Sequence, residues 1–207
     1  MKSERNKWII IGIIILISLI FSLYFDREIV KFFSIFRNPF LDNIFLFITF
    51  VSSEIIISFV LTSLFLWREN KRKWIAPLWL SLGLVAVISF ILKVTVQRDR
   101  AFQLGIVPLI SSLQEASFST WNWSFLSFQT ALGFCAIPIL NKEFPRLKKF
   151  WILFAILIGL SRIYFGLHFM SDIIAGGVLG YLIGAIILKL EEENNFGEKI
   201  YNRIMRK

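Results

Sequence analysis

Long apolar runs separated by short polar clusters set the pattern of this chain. Several of the runs reach or approach the length of about 20 residues that crosses a bilayer as a helix. The pattern predicts six spans, at about 8–24, 53–68, 74–96, 124–140, 148–166 and 171–189. Several are short for a full crossing, which implies a thin hydrophobic slab or wider boundaries. Between the first two lies a further apolar stretch, Phe32 to Ser52, broken by Arg37-Asn38-Pro39 and Asp42-Asn43. It reads as an interfacial helix followed by a partly inserted one. Counting that second piece as a full span would make seven. The fold class expected is all-α, a polytopic membrane helical bundle forming one domain over residues 1–207, with 191–207 as a cytoplasmic tail.

Composition supports the membrane reading. Apolar residues make up 57% of the chain and charged residues 18%, and the mean hydropathy is +0.70. A soluble globule of this length does not carry so many long apolar runs. The first run, Trp8 to Tyr24, follows Lys2, Arg5 and Lys7 but leads into Phe25, Asp26 and Arg27 with no small-residue cleavage site. It is therefore expected to stay as a span. The lone Cys135 lies in an apolar run and offers neither a disulfide framework nor a thiolate metal site.

The net charge of +9 resides in clusters beside spans, which is a topogenic signal and argues against nucleic acid as a partner. With the N-terminus inside, segments 1–7, 68–73, 141–149 and 189–207 are cytoplasmic and hold 3, 4, 4 and 5 of the Lys and Arg residues, 16 of 23. Both termini then face the cytoplasm. Short loops and small size suit a prokaryotic cytoplasmic membrane. Four of the remaining seven cations, Lys93, Arg98, Arg100 and Arg162, lie at the outer ends of the third and fifth spans. The rule disfavours positive charge on that side. The loop of about residues 97 to 123 carries Trp121 and Trp123 before the fourth span, where an aromatic belt is expected.

Those outer ends hold the candidate chemistry. Lys93 and Arg100 combine a mobile point charge with a planar fork, a pairing that can hold several oxygens of one phosphate. Read alone, they are better explained as cations snorkelling to the interface. Ser124-Phe-Leu-Ser127-Phe-Gln129-Thr130 opens the fourth span, where hydroxyls and free amides can bind an anion or simply cap a helix. The only histidine stands in Ser161-Arg162-(five residues)-His168-(three residues)-Asp172. If 168–172 is helical, the spacing puts His168 and Asp172 on one face, where Asp172 holds one ring nitrogen and leaves the other as a nucleophile. The plainer alternative is a polar turn with an Arg162–Asp172 salt bridge. Alternating spans place all three segments at the same outer face.

The order Lys-x6-Arg, a Ser-containing span start, then Ser-Arg-x5-His-x3-Asp resembles the type 2 phosphatidic acid phosphatase superfamily, over about residues 40–190. The resemblance implies a six-helix membrane lipid phosphatase that needs no metal ion or other cofactor. It implies that Lys93, Arg100 and Arg162 clamp phosphate, with Ser127 and Gln129 in the substrate site. His168 then attacks phosphorus to give a phosphohistidine, oriented by Asp172. Two positions depart from the family pattern. Arg100 is followed by Ala101 where the family has proline, a small loss of stiffness. The second motif, usually Pro-Ser-Gly-His, reads Leu126-Ser127-Phe128-Gln129, so the histidine that protonates the leaving oxygen is replaced by an amide.

Gln129 donates a hydrogen bond but delivers no proton. General acid catalysis is worth about 10²–10⁴-fold, which bears hardest on a monoester with an alkoxide leaving group. The expected activity is hydrolysis of a lipid phosphate or polyprenyl diphosphate at the outer leaflet. A catalytically impaired member that only binds such lipids is the alternative. A transporter, which would place charges deep within spans, is the third class.

Overall fold

The computed structural model describes residues 2–114 and 123–205. Nine α-helices follow one another among the described residues: α1 (Lys2–Ile35), α2 (Pro39–Val51), α3 (Glu54–Leu66), α4 (Ile75–Val96), the short α5 (Ser111–Gln114), α6 (Phe128–Glu143), α7 (Lys148–Tyr164), α8 (Met170–Asn194) and α9 (Phe196–Met205). A 3₁₀ turn, Glu69–Trp74, leads directly into α4.

Local chemistry accounts for the ends of several helices. Asn38 caps α2, its side chain accepting from Leu41 N at 3.1 Å, and Pro39 occupies the first turn, where a missing N–H costs nothing. The α4 helix stops at Gln97 and α8 at Asn195, both in the left-handed conformation that closes a helix.

Three segments are long and apolar enough to cross a membrane: Ile9–Ile35, Glu69–Val96 and Met170–Asn194. The α2–α3 pair qualifies as a fourth if it is one span, although it bends by 65° at its break. The α6 and α7 helices are shorter, at 16 and 17 residues. The third predicted span fits α4 closely. The first and sixth helices run beyond their predicted limits, α1 by eleven residues at its C-terminal end and α8 to Asn194. Residues 32–35 thus belong to α1 rather than to a separate interfacial helix. The charged cluster after Phe25 is no barrier, because the α1 backbone satisfies itself through Asp26 and beyond. Trp121 lies outside the described residues.

The buried apolar core draws on α3, α4, α6, α7 and α8, and the most intimate packing is between α6 and α8. Gly176, Gly180 and Gly184 line one face of α8, and a Cβ added there would stand 2.6, 2.1 and 2.0 Å from the carbonyl oxygens of Ser127, Ala131 and Cys135. Only glycine permits such backbone approach, a device common between helices in membranes. The α1 helix packs along α8 while leaving Ile10, Ile14, Ile17 and Phe21 exposed, an apolar surface suited to lipid. Val30, farther along α1, is buried with Ala101, Val107, Ile163 and Phe169, so the last third of α1 closes over the loops that join α4 to α6 and α7 to α8.

The two ends of the bundle differ. One is tied by ion pairs, Lys71–Glu143 at 2.8 Å, Lys142–Glu192 at 2.6 Å and Lys73–Glu198 at 3.3 Å. The other gathers the end of α4, the start of α6, the end of α7 and the start of α8.

Candidate active site

The second end holds every candidate site residue. His168 lies in the turn between α7 and α8 and is 1% exposed. Its Nδ1 is 2.7 Å from the Ser124 carbonyl oxygen. A carbonyl only accepts, so Nδ1 carries the proton and Nε2 keeps its lone pair. That lone pair faces Arg100, whose Nη1 is 3.4 Å from Nε2 and also donates to the Leu167 carbonyl at 3.0 Å. Burial first, then the Arg100 charge, hold the His168 pKa down at about 3, so the imidazole is neutral at physiological pH. Burial also lowers that of Arg100, to about 10, and leaves it a cation.

Asp172 is buried in the first turn of α8, which begins at Met170, so His168 precedes the helix instead of sharing a helical face with it. The Asp172 carboxylate comes within 3.8 Å of Nδ1. Its Oδ2 accepts from Ser124 Oγ at 2.5 Å and from Phe169 N at 2.9 Å, and its Oδ1 from Arg98 Nη1 at 2.8 Å. The ion pair of Asp172 is thus with Arg98, where the plainer reading of the sequence put Arg162. Asp172 fixes the loops on both sides of His168, and the Ser124 carbonyl makes the short bond to the ring.

Arg98 also meets Asp26 of α1 at 2.8 Å and lies over the Phe169 ring at 4.1 Å. Asp26 accepts from Ser171 N at 3.0 Å and from the Ser171 hydroxyl. A carboxylate at a helix N-terminus is electrostatically favoured there. The chain Asp26–Arg98–Asp172–Ser124 thus fastens α1, α4, α6 and α8 around the histidine.

Arg162 is almost fully buried. Its Nη2 donates to Ser52 Oγ at 2.7 Å, and its Nε has no hydrogen-bond partner among the described residues. A buried guanidinium N–H without an acceptor is costly, and an anion oxygen would satisfy it. Lys93 Nζ donates to the Trp123 carbonyl at 2.5 Å. The charge of Arg100 acts on both Lys93 and Arg162, and Arg100 itself lies beside Nε2. Ser127 is the N-cap residue of α6; its backbone N donates to the Asp172 carbonyl at 3.2 Å, and its Oγ pairs with Thr130 Oγ1 at 2.9 Å. Gln129, one turn into α6, donates from Nε2 to Glu54 Oε1 at 2.6 Å.

The arrangement is a neutral imidazole whose Nε2 lone pair faces the Arg100 guanidinium, at the end of a membrane bundle. A profile described as "PAP2 superfamily" matches residues 74–196, which carry the end of α4, α6, α7 and α8. The chain belongs to the PAP2 superfamily.

Among PAP2 relatives, phosphatidylglycerophosphatase B of Bacillus subtilis is 28% identical over 187 residues, covering 81% of this chain and 84% of that protein. The crystal structure of Aquifex aeolicus LpxE superposes with a TM-score of 0.63 at 31% identity, covering 78% of this chain and 93% of the other. A transmembrane PAP2-type phosphatidylglycerolphosphate phosphatase from Bacillus subtilis shares the fold, with a TM-score of 0.68 at 22% identity, covering 86% and 94%. The protein is an all-helical integral membrane member of this PAP2 group.

Sequence reasoning missed Asp26, Ser52, Glu54 and the bridging position of Arg98. In the sequence Arg98 stands out only as one of the outer cations. No local pattern marks them, because the partners that tie them to the site lie 72 to 145 residues away in the chain. The one available signal was an acid, Asp26, at the end of an apolar run.

Proposed function

We propose that this PAP2 protein is a lipid phosphatase that hydrolyses a lipid phosphate or polyprenyl diphosphate at the outer leaflet through a phosphohistidine. The observation that carries this reading is the His168 ring, with Nδ1 held by the Ser124 carbonyl and Nε2 turned toward the cation cluster. Nε2 attacks phosphorus in line, and Lys93, Arg100 and Arg162 stabilise charge on the phosphoryl oxygens. An entering phosphoryl group takes over the Arg100 Nη1 donor now at Nε2 and supplies an acceptor for Arg162 Nε. As attack proceeds the ring becomes cationic, and the nearby Asp172 carboxylate stabilises it. No step calls for a metal ion.

Substrate preference follows from Gln129. A diphosphate leaves as a lipid phosphate, a stable anion that needs little protonation. A monoester leaves as an alkoxide and suffers from the absent acid histidine. The Bacillus relative's name brings phosphatidylglycerophosphate, a monoester, into the comparison. The same substitution favours one rival, a catalytically impaired member that binds lipid phosphates without turnover.

The test is phosphate release by purified protein from a polyprenyl diphosphate, phosphatidylglycerophosphate and phosphatidate. We expect the diphosphate to be fastest, His168→Ala to abolish release, and Gln129→His to raise the phosphatidate rate. A faster rate on phosphatidate would sink the preference. No release from any substrate, with lipid binding lost in Arg100→Ala or Arg162→Ala, would establish the binding protein instead.

A further inference from the structure

Hydrolysis through a phosphohistidine has a second half, in which water must attack the phosphorus bound to His168. This half needs a base, and the groups used so far cannot serve. His168 Nε2 is bonded to phosphorus at that stage. Asp172 is buried with both oxygens occupied by Arg98, Ser124 and the Phe169 amide. Asp26 is likewise buried and held by Arg98 and Ser171. The Gln129 amide takes no proton near neutrality.

Glu54 meets the requirement. It stands at the start of α3, at the break between α2 and α3, and is exposed. Two residues earlier, Ser52 receives the Arg162 guanidinium. These contacts, with Gln129 on one side and the Ser52–Arg162 bond on the other, place Glu54 beside two of the candidate site residues, and its charge acts on Lys93, Arg100 and Arg162. Gln129 holds its Oε1, and Oε2 has no hydrogen-bond partner among the described residues. Gln129 stands at the position where the family pattern has its proton-handling histidine, and its amide holds the Glu54 carboxylate.

We infer that Glu54, positioned by Gln129, is the base that activates water to hydrolyse the phosphohistidine. In this step the water oxygen forms a bond to phosphorus as its proton passes to Glu54 Oε2. The P–Nε2 bond breaks and its electron pair returns to the imidazole. Phosphate leaves, and Glu54 gives its proton to solvent. The inference rests on the phosphatase reading above.

Rapid-quench kinetics with a polyprenyl diphosphate labelled in its terminal phosphate separates the two halves. In Glu54→Gln the first turnover of lipid release is expected at the wild-type rate. Phosphate release then slows by about 10²–10⁴-fold, the range for a lost general base, and label accumulates on His168. Gln129→Ala, which leaves Glu54 in place but unanchored, is expected to slow phosphate release less than Glu54→Gln does. Glu54→Asp, which retains the charge at the start of α3, should fall between wild type and Glu54→Gln. Equal slowing of both halves in Glu54→Gln and Glu54→Asp, or unchanged phosphate release, would overturn the inference while leaving the phosphatase intact. A wild type that neither acquires label nor releases phosphate would remove the phosphatase reading, and this inference with it.

Discussion

A single histidine makes the central residue unusually easy to observe. Selective ¹⁵N labelling of histidine gives signals from His168 alone, because no other imidazole exists in the chain. The bond to the Ser124 carbonyl requires the Nδ1–H tautomer, and we expect that tautomer throughout about pH 5 to 8, across the ordinary titration range of histidine. A dominant Nε2–H signal would contradict the nucleophile assignment. The same burial links stability to pH. The His168 pKa falls from 6.5 to about 3 on folding, so between those values the unfolded chain binds more protons. Stability contributed by keeping this ring neutral is therefore fully present above pH 6.5 and is lost as pH falls toward 3. Melting temperature in detergent should drop over that window, and less steeply in His168→Ala. At this scale the sequence revealed residue types and not pairings. His168, Asp172, Arg162, Lys93 and Arg100 stood out because ionisable groups are rare in an apolar chain. The partner of Asp172 could not be read, since Arg98 and Arg162 were both available, and only the fold brings Arg98 within 2.8 Å.

At the scale of elements, the position of the site depends on how closely α6 and α8 approach. Ser127 at the start of α6 and Asp172 at the start of α8 are joined through backbone, N to O at 3.2 Å. The glycines of α8 allow that contact. Gly180→Ala forces a Cβ against the Ala131 carbonyl, and overpacking of this kind costs about 1–3 kcal/mol. Gly83→Ala on α4 meets nothing within 4 Å and should stabilise by about 0.8–1.0 kcal/mol through helix propensity. Thermal unfolding of the two variants in one detergent checks the pair, and opposite signs are expected. The third predicted span was legible because its apolar run is long and has clear breaks. The limits of the first and sixth were not. Polar residues such as Asp26 and Glu191 look like span ends in sequence, whereas in the fold both are buried and hydrogen-bonded, Glu191 to Gly197 N at 2.7 Å.

For the whole molecule, the ion-paired end and the end that holds His168 lie at opposite poles, in keeping with the excess of Lys and Arg in segments 1–7, 68–73, 141–149 and 189–207. Reporter proteins fused to each terminus are expected to signal the cytoplasm from both; signals from opposite sides would mean an odd number of crossings and a revised account of the bent α2–α3 pair. The family match begins at residue 74, yet Asp26, Ser52 and Glu54 all touch the site from before it. The motif residues are therefore gripped by helices that no motif describes. Divergence within such a family then has a quiet route. Changes in α1, α2 and α3 can reset the grip on Arg98, Arg162 and Gln129, and with it the choice of lipid, while each signature residue stays as it is.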